Sequence, residues 1–188
     1  MLEDYPKKMV TKGGLAVVLR PVVPEDEEAL RKMLSQIPEE ERWFLRENLT
    51  DSDRLRQWIA TLNYEHVLPM IAVKEDDGEI IANLRLYRSS SGCTAHVAHV
   101  RIMVVPAYRS QKIGSLILTD AAKLATELGV EKLIAEFVSD VENVAMKAAD
   151  RLDFHREAVL KDYVLDPHGG CRDLIIMVKN LSREWHDF

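Results

Sequence analysis

The segment that most constrains what this chain can fold into runs from Ala95 to Gly129. Ala95 to Val105 is a valine-rich run that reads as a strand. It passes into the polar stretch Pro106-Ala107-Tyr108-Arg109-Ser110-Gln111-Lys112-Ile113-Gly114, and a helix is expected at once after Gly114. Ile117, Ala121, Leu124 and Leu128 form the apolar stripe of that helix, and Gly129 ends it. Such a strand, loop and helix unit has a chemical consequence. The first turn of a helix leaves several backbone N–H groups unpaired at a positive dipole end, so a loop wrapped over it can hold a phosphate or pyrophosphate. Arg109 and Lys112 add positive charge. The loop contains neither G-x-x-x-x-G-K-[ST] nor G-x-G-x-x-G, so the two commonest nucleotide-binding loops do not describe it.

The remaining pattern alternates helices and strands. Leu15 to Leu19 reads as a strand ended by Pro21. After Pro24, the acidic run Glu25-Asp26-Glu27-Glu28 precedes Leu30, Met33, Leu34 and Ile37 at helical spacing, and those carboxylates suit the positive end of the helix. Glu39 to Leu62 is a second helical region, broken near Asn48 to Asp51, with Thr50 or Asp51 as the cap of the new start. Its Trp43, Phe44, Leu55, Trp58 and Ile59 fit either core packing or the wall of a cleft. Pro69 to Val73, Glu79 to Tyr87 and Ala95 to Val105 read as three consecutive antiparallel strands. Val130 to Val138 is a further strand, Val141 to Arg151 a helix, and Arg156 to Leu165 with Asp173 to Val178 a final hairpin. The sum is a mixed α/β fold, with one domain expected over residues 1–188.

Composition excludes several classes. A 47% apolar and 30% charged chain can bury a core of its own, without a disulfide or metal staple. The only cysteines, Cys93 and Cys171, form no C-x-x-C pair and have no His cluster beside them, so a structural zinc site is not expected. The thiols and the acidic, proline-bearing start suggest a cytoplasmic protein. The longest charge-free stretch, Ser89 to Val100, is far shorter than the roughly 20 apolar residues of a membrane span. A net charge of −6 with scattered Lys and Arg argues against nucleic acid as a partner and suits an amine or basic peptide better.

The loop resembles the acetyl-CoA signature of the GNAT N-acetyltransferase superfamily, V-x-P-x-x-[RQ]-x-x-G-x-[GA], through Val104, Pro106, Arg109 and Gly114. Lys112 stands where the family usually has glycine, and Leu152-Asp153-Phe154 stands where it commonly has L-G-F. The order of strands and helices matches the family across nearly the whole chain. The resemblance implies a single-domain GNAT acyltransferase fold, with a mixed, mostly antiparallel central sheet flanked by helices. It also implies acetyl-CoA as co-substrate with no metal, and direct attack on the thioester by the amine of a small molecule or protein. A catalytically inactive acyl-CoA-binding regulatory module on the same fold is the alternative. A homodimer is compatible with the family.

Site residues carry over by position. Backbone groups near Ile102, Met103 and Val104 would hold the pantetheine arm and polarise the thioester carbonyl. Arg109, Ser110, Gln111, Lys112, Ile113, Gly114 and Ser115 would contact the pyrophosphate, largely through N–H groups. Asn143 could meet the pantetheine, or lie in the first turn of a helix capped by an S-x-x-E box of Ser139 and Glu142. In some protein-lysine acetyltransferases of the family a glutamate base stands at the position of His99. His99 is therefore either the base that accepts the amine proton or a hydrogen-bonded strand histidine. His96, three residues earlier, should face the other side of the sheet. The family often has a tyrosine in the last helix to protonate the departing thiolate; here Ala148, Ala149 and Asp150 occupy that region, leaving solvent or Tyr163 for that step.

Overall fold

The computed structural model describes residues 2–45 and 51–181. Its strands are β1 (Lys7–Val10), β2 (Ala16–Pro21), β3 (Val67–Lys74), β4 (Ile80–Arg88), β5 (Val97–Val104), β6 (Lys132–Val138), β7 (His155–Leu165) and β8 (Cys171–Asn180). Its helices are α1 (Glu27–Ser35), α2 (Glu39–Arg42), α3 (Ser52–Ala60), α4 (Ile113–Glu127) and α5 (Asn143–Asp150). The strands form one open sheet in the order β1-β2-β3-β4-β5-β6-β8-β7. Every neighbouring pair is antiparallel except β5 and β6, which run parallel because α4 carries the chain back across the sheet between them. The fold is thus the α/β fold with an open, mixed sheet and flanking helices that the sequence implies. None of the described helices is long and apolar enough to cross a membrane.

Helices cover both faces, and the strand alternation decides what each helix meets. Ala98 and Val100 of β5, Leu84 and Leu86 of β4, and Leu133 and Ala135 of β6 join Ile113, Ile117, Ala121 and Leu124 of α4 in one core. Ala149 of α5 and Phe154 complete that layer. On the opposite face Leu30, Met33 and Leu34 of α1 and Leu55 and Ile59 of α3 pack on Ile71, Ile80 and Val105. A fully buried side chain such as Phe154 or Leu84 contributes about 1.5–3 kcal/mol, so these two layers dominate the stability. His99 and Arg101 alternate with Ala98 and Val100, and so project onto the α1 and α3 face.

Several expectations are corrected in detail. The strand β1, with a cis Tyr5–Pro6 bond before it, has no counterpart in the sequence reading; at four residues with two lysines it offers too little pattern. Its neighbourhood explains it. Tyr5 Oη and Lys7 Nζ both reach the buried Asp120 of α4, Lys7 at 3.1 Å, and tie the edge strand to the core layer. Asp26 does not serve mainly as a dipole partner. It is buried, takes both Nη atoms of Arg20 at 2.7 and 2.6 Å and accepts the Val23 N–H, closing the turn before α1. Asp51 caps α3 by accepting from Asp53 and Arg54 N–H; Thr50, the other candidate, lies outside the described residues, as does most of the expected helix break. The Ser139 and Glu142 capping box does not form, because α5 begins later, at Asn143. Glu142 instead reaches back to the Val138 N–H, and Ser139 N–H donates to the Asp173 carbonyl.

Candidate active site

The parallel strands β5 and β6 part company at one end. Their register runs from Val97↔Lys132 to Val100↔Ala135 and stops there. β5 nevertheless continues to Val104 in its ladder with β4, and β6 continues to Val138 in its ladder with β8. A wedge therefore opens between two ordered strands, and Ile102, Met103 and Val104 lie along one side of it. Both helices that follow these strands, α4 and α5, begin at this end of the sheet, as expected of a ligand site at the carboxyl ends of parallel strands. Asn143, the first residue of α5, is exposed there.

The loop from β5 to α4 closes the wedge. Helix α4 starts at Ile113, before Gly114 rather than after it, and no side chain caps its first turn. Ser110 and Lys112 both take positive φ, 62° each, so the loop doubles back twice. Lys112 thereby takes a left-handed conformation that glycine adopts easily, at a cost of about 1–2 kcal/mol for a residue with a Cβ. Asp153, the other departure from the family pattern, does the same with φ 64°. Gly114 is different. A Cβ built there would meet Val104 Cγ2 at 3.7 Å, an ordinary contact, so nothing in the fold itself requires glycine. The uncapped N–H groups and this bare position fit a pyrophosphate lying against the loop.

Two anchors hold the loop. Tyr108 Oη donates to Glu79 at 2.5 Å, which keeps the Glu79 carboxyl below its ordinary range and the Tyr108 phenol above its own. Arg109 Nε donates to the Val104 carbonyl at 3.0 Å, and its two Nη atoms grip Glu41 at 2.9 and 2.6 Å. The Arg109 guanidinium is thus turned toward α2.

One residue before the wedge opens, His99 sits in a small cleft lined by Tyr87, Arg101, Ile134 and Glu136. Tyr87 is directly across from His99 on β4, and Ile134 is its parallel partner on β6. Glu136 lies two residues beyond Ile134 on the same face, with Oε1 3.6 Å from His99 Nδ1. Arg85 and Arg101 face each other across β4 and β5 on this side. Arg85 stacks over Trp58 of α3 at 5.1 Å, and Arg101 donates to the Phe44 carbonyl at 3.4 Å. Trp43 stands exposed beside them, its indole N–H on the Leu165 carbonyl of β7. Tyr163 is also exposed on β7, and His96 lies in the turn before β5 rather than on the strand.

The sequence reading brings His99, the strand Ile102 to Val104 and the loop to one place, and misses Tyr87, Glu136 and the Arg109–Glu41 pair. A signal for Glu136 was present: Leu133-Ile134-Ala135-Glu136-Phe137-Val138 is an apolar strand interrupted by one carboxylate. Nothing local marks Tyr87, whose place follows from a strand register.

Comparison with known proteins follows the same lines. The model of the acetyltransferase (GNAT) family matches residues 30–154. No curated protein is similar enough in sequence to count as a match. Among solved structures, ribosomal-protein-S5-alanine acetyltransferase from Vibrio fischeri superimposes with a TM-score of 0.76 at 15% identity, over 94% of this chain and 97% of that one. The acetyltransferase of the GNAT family from Streptococcus pneumoniae gives 0.73 at 18% identity, over 87% and 99%. Salmonella typhimurium yncA, solved with its cofactor acetyl-CoA, gives 0.72 at 15% identity, over 90% and 96%. At these identities the likeness is one of fold.

Proposed function

Because the chain belongs to the GNAT acetyltransferase family, we propose that it moves the acetyl group of acetyl-CoA to an amine by direct attack in a ternary complex. The observation that carries this reading is the wedge between β5 and β6, which leads from the uncapped start of α4 to His99. In this reading the backbone of Ile102 to Val104 pairs with the extended pantetheine arm as an added strand would, and aligns the thioester carbonyl. Ser110 to Ser115 hold the pyrophosphate through N–H groups, and Asn143 meets the arm from α5.

The chemistry assigns His99 one task. An alkylamine with pKa near 10 is neutral in only about one molecule in 10³ at pH 7, a handicap of about 4 kcal/mol. Nε2 of His99 takes one proton from the ammonium group, and the freed electron pair attacks the thioester carbon. The C–N bond forms while the carbonyl oxygen takes up charge beside the β5 backbone. Collapse breaks the C–S bond and expels the thiolate; the nitrogen then loses its second proton, which ends on the CoA sulfur through solvent, and His99 returns its own proton to solvent. A thiol is acidic enough to depart as an anion, so the exposed Tyr163 needs no part in the step.

The test is an acceptor panel of polyamines, amino acids, peptide N-termini and lysine peptides, read by thiol release from acetyl-CoA. Acceptor-dependent release with one acetyl group gained per thiol is the expected result. Tight acetyl-CoA binding with no release from any amine would instead mark a binding module of the same fold.

A further inference from the structure

Glu136 is a costly residue where it stands. Its side chain is only 12% exposed, and it interrupts the apolar strand β6 next to the opening between β5 and β6. Burying a carboxylate is unfavourable unless a partner repays it. His99 is one such partner, with its Nδ1 3.6 Å from Oε1. That separation is longer than a formed hydrogen bond, and catalytic pairs commonly tighten only when substrate is bound.

We infer that Glu136 is the positioning residue for His99: its carboxylate takes the Nδ1–H of the imidazole, which leaves Nε2 as the atom that accepts the amine proton. This rests on the acetyl-transfer reading above and adds a second residue to it. The surroundings show why a carboxylate is needed. Facing His99 are Tyr87 and Arg85 from β4, Arg101 from β5 itself and Glu136 from β6. From β8 the side chain opposite Glu136 is the apolar Ile176, and α3 brings Trp58 over Arg85. Two guanidinium groups on this face oppose a third positive charge on the imidazole, and Glu136 is the anion facing it among the described residues. Without that carboxylate the two guanidinium groups on this face would oppose protonation of His99 and weaken it as a base. With it, the imidazole is held in one tautomer and the imidazolium formed during attack is stabilised.

The experiment is an NMR titration of the His99 imidazole in the full chain, wild type against Glu136→Gln, paired with the pH profile of kcat/KM. Glutamine keeps an oxygen that can accept the Nδ1–H but removes the charge. The expected result is a His99 midpoint about one pH unit lower in the variant, with the acidic limb of kcat/KM moving down by the same amount. Turnover at its plateau should fall about 10- to 100-fold, while the Kd for acetyl-CoA stays the same. An unchanged His99 midpoint in folded Glu136→Gln overturns the inference, whatever the activity does. Because the titration needs no turnover, a wild-type chain that acetylates no amine would refute the acetyl-transfer reading and still leave the pairing decided by the shift. Glu136→Ala is the check on folding: a variant with an unchanged melting temperature and a lowered His99 midpoint excludes a merely structural role.

Discussion

Two carboxylates lie at nearly the same depth on opposite faces of this sheet, and they are used differently. Asp120, with a side chain 8% exposed, points from α4 into the layer that also holds β1. Tyr5 and Lys7 close around it, so its charge is matched within the packed layer. Glu136, 12% exposed, faces a half-exposed imidazole in a cleft that opens where two strands part. The strand β5 makes the same division one residue at a time: Ala98 and Val100 are sealed against α4, while His99 and Arg101 face the cleft. Burial alone therefore does not separate a structural charge from a chemical one. The setting of the partner is what differs, a packed layer for Asp120 and an open cleft for Glu136.

The comparison breaks if changes on the two faces have the same consequences. The largest effect is expected on the cleft side, where His99→Ala should lower kcat about 10²- to 10⁴-fold at saturating acceptor, with the melting temperature and the acetyl-CoA Kd almost unchanged. Retention of most of the turnover would make His99 structural. On the closed side Asp120→Ala strands the Lys7 ammonium and the Tyr5 hydroxyl, and should cost about 3 kcal/mol in denaturant unfolding. The fraction still folded should bind acetyl-CoA normally, and an affinity loss there would erase the distinction between the faces.

Tyr5 sharpens it through pH. Burial first, and then its bond to Asp120, push the phenol well above its ordinary value. A group whose proton is held more tightly in the folded chain stabilises below its unfolded pKa of about 10, and that contribution is lost as pH rises beyond it. Wild type should therefore lose stability more steeply above pH 10 than Tyr5→Phe, which should be about 1.5 kcal/mol weaker at pH 7. Parallel stability curves for the two proteins above pH 10 would contradict this. The smallest effect is in the loop. Lys112→Gly relieves a left-handed residue but gives the unfolded chain more freedom, so a net gain of about 0.5–1 kcal/mol is expected in thermal unfolding.

Much of this architecture is legible in the residues because its signals are local. The stripe Ile117, Ala121, Leu124 and Leu128 places α4, the valine-rich run before Pro106 places β5, and the loop between them carries the family pattern. The two departures from that pattern, Lys112 and Asp153, both take positive φ, the conformation glycine adopts readily, which residue identity alone does not reveal. What escapes the sequence is what depends on register. Tyr87 meets His99 only because β4 and β5 pair as they do, and Glu136 reaches it only through the parallel β5–β6 ladder across 37 positions of chain. The role of Asp120 is hidden for the same reason, since its partners are more than a hundred residues away.

The central claim is that the start of α4 and the wedge beside it hold acetyl-CoA, and calorimetric titration of three folded chains tests it most directly. Wild type should bind one acetyl-CoA per chain. Gly114→Ala, whose methyl group the fold accommodates beside Val104, should bind it somewhat less tightly. Gly114→Asp, which sets a negative charge against the pyrophosphate, should weaken it by about tenfold or more. Equal Kd values for wild type and Gly114→Asp, or no binding to wild type at all, would contradict the account.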